Sequence, residues 1–269
     1  MASPESDLVG VYERKILAGI ERIWENVRDW EHLPWLHAGA FESVELVEEG
    51  EGGWSADVGF AGGGDKSRIR VALDIPASRY TTSTVSGAGA GTDIVTVLSP
   101  DASGATDIEV SFYVPGIAAA DREAVFGIYR DLYRTLWDED EEMMRARQSF
   151  LDGVEARRGG REESSELDLG DIERLRGELP KLVVSGGDTF RVVEVGGEIV
   201  AHSVFCPHVG GPLGETPCDD EGVVVCPWHG YRFDVRSGAC VHGGKFRLAA
   251  APSVHVDSST GAVTLKPSR

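Results

Sequence analysis

Four residues between positions 206 and 229 have the types and spacing of metal ligands. The chain reads Cys206-Pro-His208-Val-Gly-Gly and, after a gap of seventeen residues between His208 and Cys226, Cys226-Pro-Trp-His229-Gly. A thiolate and an imidazole two or three residues apart fit on one short loop, so two such loops can turn four ligands inward. Two Cys and two His satisfy tetrahedral zinc, and they equally satisfy a [2Fe–2S] cluster with both thiolates on one iron and both imidazoles on the other. The neighbours favour the cluster. Gly210, Gly211 and Gly230 allow the backbone to approach inorganic sulfide closely, and Pro207, Pro212 and Pro227 stiffen both loops. Cys206 and Cys226 are therefore assigned to one iron and His208 and His229 to the other.

A second constellation lies near the N-terminus, Asn26-x-x-Asp29-x-x-His32-x-x-x-x-His37. Two His with a later carboxylate are what a mononuclear non-haem Fe(II) site needs, because three ligands on one face leave positions open for O2 and substrate. Ile20, Ile23, Trp24, Val27 and Trp30 fall at helical spacing and predict a helix over 20–30, which would deliver Asp29 and His32 at its end. Pro34 should interrupt that helix, letting His37 curl back. The acidic run at 138–142 offers later carboxylates. The competing reading is an incidental His pair over a metal-free pocket, with 138–142 as a solvated helix face.

The elements that must position these residues can be read from periodicity. Residues 8–19 read as a strand. Runs at 43–47, 69–73, 80–85, 94–98 and 108–113, separated by Gly- or Asp-rich turns, read as an antiparallel meander. From 118 to about 151 the pattern becomes a long helix with Val125, Ile128, Leu132, Leu136, Met143 and Met144 as its apolar stripe. That makes an α+β domain over 1–152. Residues 153–167 are charged and poor in large apolar side chains, a linker. Runs at 181–185, 190–195 and 198–205 with Gly-containing turns make 168–269 an all-β domain.

The bulk numbers agree with two domains, since 269 residues with 41% hydrophobic content can supply two cores. A net charge of -19, from 26 basic and 45 acidic residues, repels phosphate and anionic membrane surfaces, so neither nucleic acid nor membrane is an expected partner. The N-terminal residues lack the basic end and apolar stretch of a signal peptide, and a cytoplasmic location is expected. Cys218 and Cys240 belong to no motif and are expected to be small buried hydrophobes.

Residues 168–266 resemble Rieske ferredoxins and the Rieske domains of ring-hydroxylating oxygenases. In that family's high-potential members an extra Cys on each cluster loop forms a disulfide, and Ser and Tyr hydroxyls bond to the cluster sulfurs. The positions here are Gly211, Trp228, Tyr231 and Phe233, which implies a potential near the low end of the roughly -150 to +300 mV range. The segment 26–37 resembles the N-x-x-D-x-x-H-x-x-x-x-H motif of the oxygenases' catalytic domains. The resemblance implies His32 and His37 as iron ligands, Asp140 as the third with Glu141 as second choice, and Asn26 and Asp29 as catalytic, with Asp29 linking the iron site to a Rieske His of a neighbouring subunit. The spacing from Asp140 to Gln148 is one residue longer than the family's Asp-to-Gln spacing, and the order of the two domains is inverted. The N-terminal domain also resembles the START and polyketide-cyclase helix-grip superfamily, whose turn Asp29-Trp-Glu-His-Leu-Pro-Trp35 matches; many members bind only an apolar ligand.

The implied fold is an α+β helix-grip domain, an antiparallel sheet around a long C-terminal helix, followed by an all-β Rieske domain. The implied function is a Rieske non-haem iron oxygenase carrying a [2Fe–2S] cluster and a mononuclear Fe(II), homo-oligomeric and reduced by an NAD(P)H-dependent reductase. It would hydroxylate or demethylate a small hydrophobic or aromatic substrate. The alternatives are a ferredoxin-like electron carrier fused to a metal-free ligand-binding domain, and a cyclase or hydratase with a regulatory cluster using Asp29, His32 or His37 as acid or base.

Overall fold

The computed structural model describes residues 7–158, 165–242 and 244–267. Its contacts divide the chain into two units, Met1–Arg145 and Ala146–Arg269.

The first unit opens with strand β1 (Leu8–Ile16), helix α1 (Ile20–Arg28) and a single helical turn, α2 (Leu33–Leu36). Six strands follow: β2 (Phe41–Gly50), β3 (Gly53–Phe60), β4 (Ser67–Asp74), β5 (Arg79–Ser86), β6 (Asp93–Pro100) and β7 (Thr106–Tyr113). They form a seven-stranded sheet in the order β1-β7-β6-β5-β4-β3-β2, every pair antiparallel. This is the expected meander, with β3 added to the runs singled out from the sequence. Pro34 does more than end a helix: it sits in the first turn of α2, where a missing N–H costs nothing.

Helix α3 (Arg122–Arg158) packs on the sheet with a stripe that keeps Met144 of the expected one and replaces its aliphatic members with aromatic residues. Phe126, Tyr129, Tyr133, Trp137 and Met144 join the core, and the first three stack around the fully buried Phe112. Ile128, assigned to the apolar stripe by periodicity, is 71% exposed. The aromatic stripe is rotated by one residue, about 100°, from the aliphatic one, and its rings bury more area and so win the sheet face. The helix also continues to Arg158 through part of the expected linker, because Glu, Ala and Arg are strong helix formers that outweigh one Gly153. Residues 159–164 of that linker lie outside the described residues.

The second unit contains the end of α3 from residue 146, then β8 (Leu167–Asp171) and a short helix α4 (Ile172–Glu178), whose first turn is capped by the Asp171 carboxylate. The remaining strands are β9 (Lys181–Ser185), β10 (Asp188–Val195), β11 (Glu198–Ser203), β12 (Val223–Val225), β13 (Arg232–Asp234), β14 (Ser253–Val256) and β15 (Ala262–Lys266). They make small antiparallel sheets, β11-β10-β9, β12-β13 and β14-β15-β8. Leu175, Phe190, Val192, Val263 and Leu265 fill the core between them. Cys218 and Cys240 are only partly buried, contrary to expectation, because both lie in bridging loop segments beside β12 and β13 rather than inside a sheet.

Candidate metal centres

Cys206 follows β11, and Cys226 follows β12. The two ligand loops have the same backbone frame despite their different ligand spacing. In the first, Gly210 N–H donates to the Cys206 carbonyl at 2.9 Å and Cys206 N–H to the Gly211 carbonyl at 2.8 Å. In the second, Gly230 donates to Cys226 at 2.9 Å and Cys226 to Tyr231 at 2.8 Å. Both closures depend on a left-handed glycine, Gly210 (φ 85°) and Gly230 (φ 68°).

The ligands converge. Cys206 and Cys226 are buried and carry free thiols. Their side chains hydrogen-bond to each other, which raises the Cys206 pKa and lowers that of Cys226 to about 5. The His208 and His229 rings lie 4.6 Å apart, edge to face, with Tyr231 and Phe246 packed on His208 at 5.0 and 5.2 Å. The space beside the thiols is kept open by one residue: a Cβ on Gly211 would lie 2.6 Å from Cys226 Sγ and 3.2 Å from the Trp228 ring. Two thiols and two imidazoles at the tips of matched loops, with a cradle that a methyl group would fill, fit a [2Fe–2S] cluster.

The end of α3 supports the first loop in a way that spacing rules do not reveal. The Phe150 ring packs against Phe205 with centroids 5.2 Å apart and lies where a Gly210 side chain would be, and Arg147 donates to the Val209 carbonyl at 3.2 Å. Gln148 bonds to Asp152.

In the first unit His32 and His37 bracket α2 as its N-cap and C-cap, and Asp140 lies on the buried side of α3. One side-chain ligand atom from each lies within 4.8 Å of the others. His37 Nε2 is 3.0 Å and His32 Nε2 3.5 Å from the same oxygen, Asp140 Oδ1. Asn26 donates to that oxygen at 2.8 Å. Asp29 lies behind His32, its carboxylate 3.9 Å from Nδ1. Glu141, the second choice as ligand, is engaged elsewhere: it accepts from Leu17 N–H at 3.0 Å and from Arg14. Sequence reasoning missed Glu139, whose Oε2 lies 2.6 Å from His37 Nδ1. Its one signal is its place beside Asp140 on a helix turn facing the His pair.

Burial and hydrogen bonding act against each other at this triad. Burial disfavours a charge on His37, but hydrogen bonds to Asp140 and Glu139 outweigh it, and the His37 pKa is raised. Burial likewise works against the Asp140 carboxylate, yet bonding to His37, the charges of His37 and His32, and the Asn26 donor lower its pKa. His32, His37 and Asp140, with Glu139 on His37 Nδ1, are a donor set that could hold Fe(II), with open space on the remaining side. That side is a cavity of about 460 Å³, lined mainly by apolar and aromatic residues including Phe41, Trp54, Ile69, Tyr129 and Trp137. Ile128 and Leu132, displaced from the core by the aromatic stripe, also line it.

Residues 165–251 match the family described as Rieske [2Fe-2S] domain. No curated protein sequence matches the chain. Among solved structures, the ferredoxin of carbazole 1,9a-dioxygenase from Nocardioides aromaticivorans IC177 is 27% identical, with 39% of this chain and 100% of that chain covered and a TM-score of 0.34. The Zhui aromatase/cyclase from Streptomyces sp. R1128 is 15% identical over 51% of this chain and 93% of that one, TM-score 0.43. A START superfamily protein from Mycobacterium smegmatis is 16% identical over 50% and 97%, TM-score 0.40. Residues 165–251 carry a Rieske [2Fe–2S] domain, and the N-terminal unit is the expected antiparallel sheet with a long helix. A Rieske domain implies electron transfer. No helix among the described residues is long and apolar enough to cross a membrane.

Proposed function

We propose that the chain is a compact Rieske-type oxygenase, in which Cys206, Cys226, His208 and His229 hold the [2Fe–2S] cluster and His32, His37 and Asp140 hold a mononuclear Fe(II). The observation that carries this reading is the convergence of those three buried ligands on the wall of an apolar cavity, in a chain that also has a Rieske domain. When bound, the cluster would supply single electrons and the iron would activate O2 for hydroxylation or demethylation.

The chain's own residues have separable tasks. Glu139 accepts the His37 Nδ1 proton and so leaves Nε2 to face the metal. Asn26 steadies Asp140 through its side-chain amide. Asp29, beside His32, is the group placed to relay charge or a proton to the site. The aromatic walls exclude water and favour a small hydrophobic or aromatic substrate. An NAD(P)H-dependent reductase would reduce the cluster, and a homo-oligomer would let one subunit's cluster serve another's iron.

A second reading, an electron carrier fused to a metal-free ligand-binding domain, is favoured by one observation. The side chains of Asn26, His37, Glu139 and Asp140 already form a connected hydrogen-bond network without a cation. Iron and acid-labile sulfide on anaerobically purified, Fe(II)-reconstituted protein separate the two. Three irons to two sulfides, falling to two irons in His32→Ala and His37→Ala with the cluster spectrum unchanged, is the expected result. Two irons to two sulfides throughout would leave the carrier.

A further inference from the structure

The residues that match the Rieske family begin at 165, yet the first cluster loop is held by side chains that precede them. Arg147 and Phe150 belong to the last turns of α3 and fall in the same unit as the loop, Ala146–Arg269. Both act on one peptide group. The Arg147 guanidinium donates to the Val209 carbonyl at 3.2 Å, and the N–H of that same peptide, belonging to Gly210, donates to the Cys206 carbonyl at 2.9 Å. The Val209–Gly210 peptide is therefore fixed at both ends, and it closes the loop that carries Cys206 and His208.

Phe150 completes the clasp. Its ring lies 2.5 Å from where a Cβ on Gly210 would be, and it packs against Phe205, the residue before Cys206. The Arg147 guanidinium lies 6.0 Å from the centre of the Phe150 ring, so one ring backs both the loop and the charge. Further along the helix, Arg157 pairs with Asp188 at the start of β10, 3.4 Å apart.

Packing and one hydrogen bond could come from an uncharged side chain such as glutamine. What Arg147 adds is a permanent charge, half-buried and bonded to the residue that follows His208. Reduction gives the cluster one electron and one more negative charge, with no bond made or broken, so a fixed positive charge beside the loop favours the reduced form. A charged donor on the Val209 carbonyl also polarises the peptide and strengthens the Gly210 N–H bond to Cys206.

We propose that Arg147 is a positioning residue for the cluster: it holds the Val209–Gly210 peptide, and the positive charge it places beside the loop makes the cluster easier to reduce. This rests on the assignment of a [2Fe–2S] cluster to Cys206, Cys226, His208 and His229, and it does not depend on a mononuclear iron.

The test is protein-film voltammetry of the full, cluster-loaded chain, in which the electrode supplies the electron, with iron and acid-labile sulfide measured on each sample. Arg147→Gln keeps a donor for the Val209 carbonyl and loses the charge, whereas Arg147→Lys keeps the charge. Arg147→Gln is expected to be about tenfold harder to reduce than the native protein, which for one electron is a potential ~59 mV lower. Arg147→Lys should stay within about threefold of native. Arg174→Met is the control: that side chain is 80% exposed on α4 and pairs with Glu178, so its potential should match the native one. Equal potentials in native protein and Arg147→Gln, or an equal fall in Arg147→Lys or Arg174→Met, would overturn the proposal. Arg147→Met is the second charge-removing variant if Arg147→Gln takes up no cluster, and loss of the cluster from both would make the role structural and overturn the proposal too. Native protein without acid-labile sulfide would remove the cluster assignment along with the proposal, whereas a loaded cluster indifferent to Arg147 removes the proposal alone.

Discussion

Replacing Glu139 with Gln tests the candidate iron site at a residue that touches neither metal nor substrate. In the native protein the Glu139 carboxylate accepts from His37 Nδ1 at 2.6 Å, which fixes the ring so that Nε2 faces Asp140. Outer carboxylates of this kind typically contribute 10- to 100-fold to metal affinity. The Glu139 side chain is 36% exposed, so solvent screens part of its charge and the lower end applies, about tenfold or ~1.4 kcal/mol. Co(II) titration of cluster-loaded protein depleted of mononuclear iron, read by equilibrium dialysis and metal analysis, measures this directly. Glu139→Gln should weaken Co(II) about tenfold and lower the His37 pKa in the metal-free protein, because Glu139 is one of the groups that raises it. Asp138→Asn is the control: its side chain is 61% exposed and pairs with Arg14, so its Co(II) affinity should be unchanged. Unaltered affinity in Glu139→Gln, or equal losses in both variants, would refute the reasoning.

Gly211→Ala places a methyl group 2.6 Å from Cys226 Sγ, so most of the acid-labile sulfide and visible absorbance should be lost; a fully loaded variant would show that the cradle is not needed. The cluster potential is expected near -150 mV, the low end of the Rieske range, since no disulfide links the loops and Phe233 is buried without a donor; protein-film voltammetry giving a value above about +100 mV would contradict it. His202 is buried and its pKa is lowered, by desolvation first and then by the Arg191 charge. The unfolded chain therefore binds a proton there more readily, and the stability that His202 contributes as a neutral group is lost as pH falls below about 6.5 toward its folded value. Chemical denaturation at pH 8 and pH 5.5 should show a smaller loss in His202→Phe than in the native protein, and identical losses would discount this histidine.

What the sequence made legible follows from how local each feature is. Both cluster loops are complete within six residues, with their ligands, glycines and prolines adjacent, so the motif carried nearly the whole geometry. His32 and His37 were legible for the same reason, as the two ends of one helical turn. Asp140 depended on a choice among five consecutive acidic residues. What distinguishes it is facing: Asp138 meets Arg14, Glu141 meets Arg14 and Leu17, and Asp140 alone of these three meets the His pair. That facing is set by which stripe of α3 meets the sheet, and periodicity chose the aliphatic stripe. With Phe126, Tyr129 and Tyr133 taken as the core stripe, the same heptad-like spacing runs through Trp137 to Asp140 and Met144, and the carboxylate falls on the buried face. Phe150 and Arg147 were not legible, because their contacts join residues about sixty positions apart.

The charge balance at Asp140 is where the proposed cation would act. A carboxylate on the core face of a helix loses most of its hydration, a cost of several kcal/mol unless opposite charge and hydrogen bonds offset it. Glu141, its neighbour, has a permanent partner in Arg14. Among the described residues Asp140 meets Asn26 and two imidazoles, and an imidazole offers positive charge only while protonated. The raised His37 pKa and the lowered Asp140 pKa are the two sides of that arrangement. In the metal-free protein, a proton on His37 stabilises the fold fully below the ordinary histidine value, and that contribution is lost as pH rises through the raised one. A divalent cation at the same point supplies the charge at every pH and displaces that proton, so metal binding at neutral pH should release protons and strengthen as pH rises.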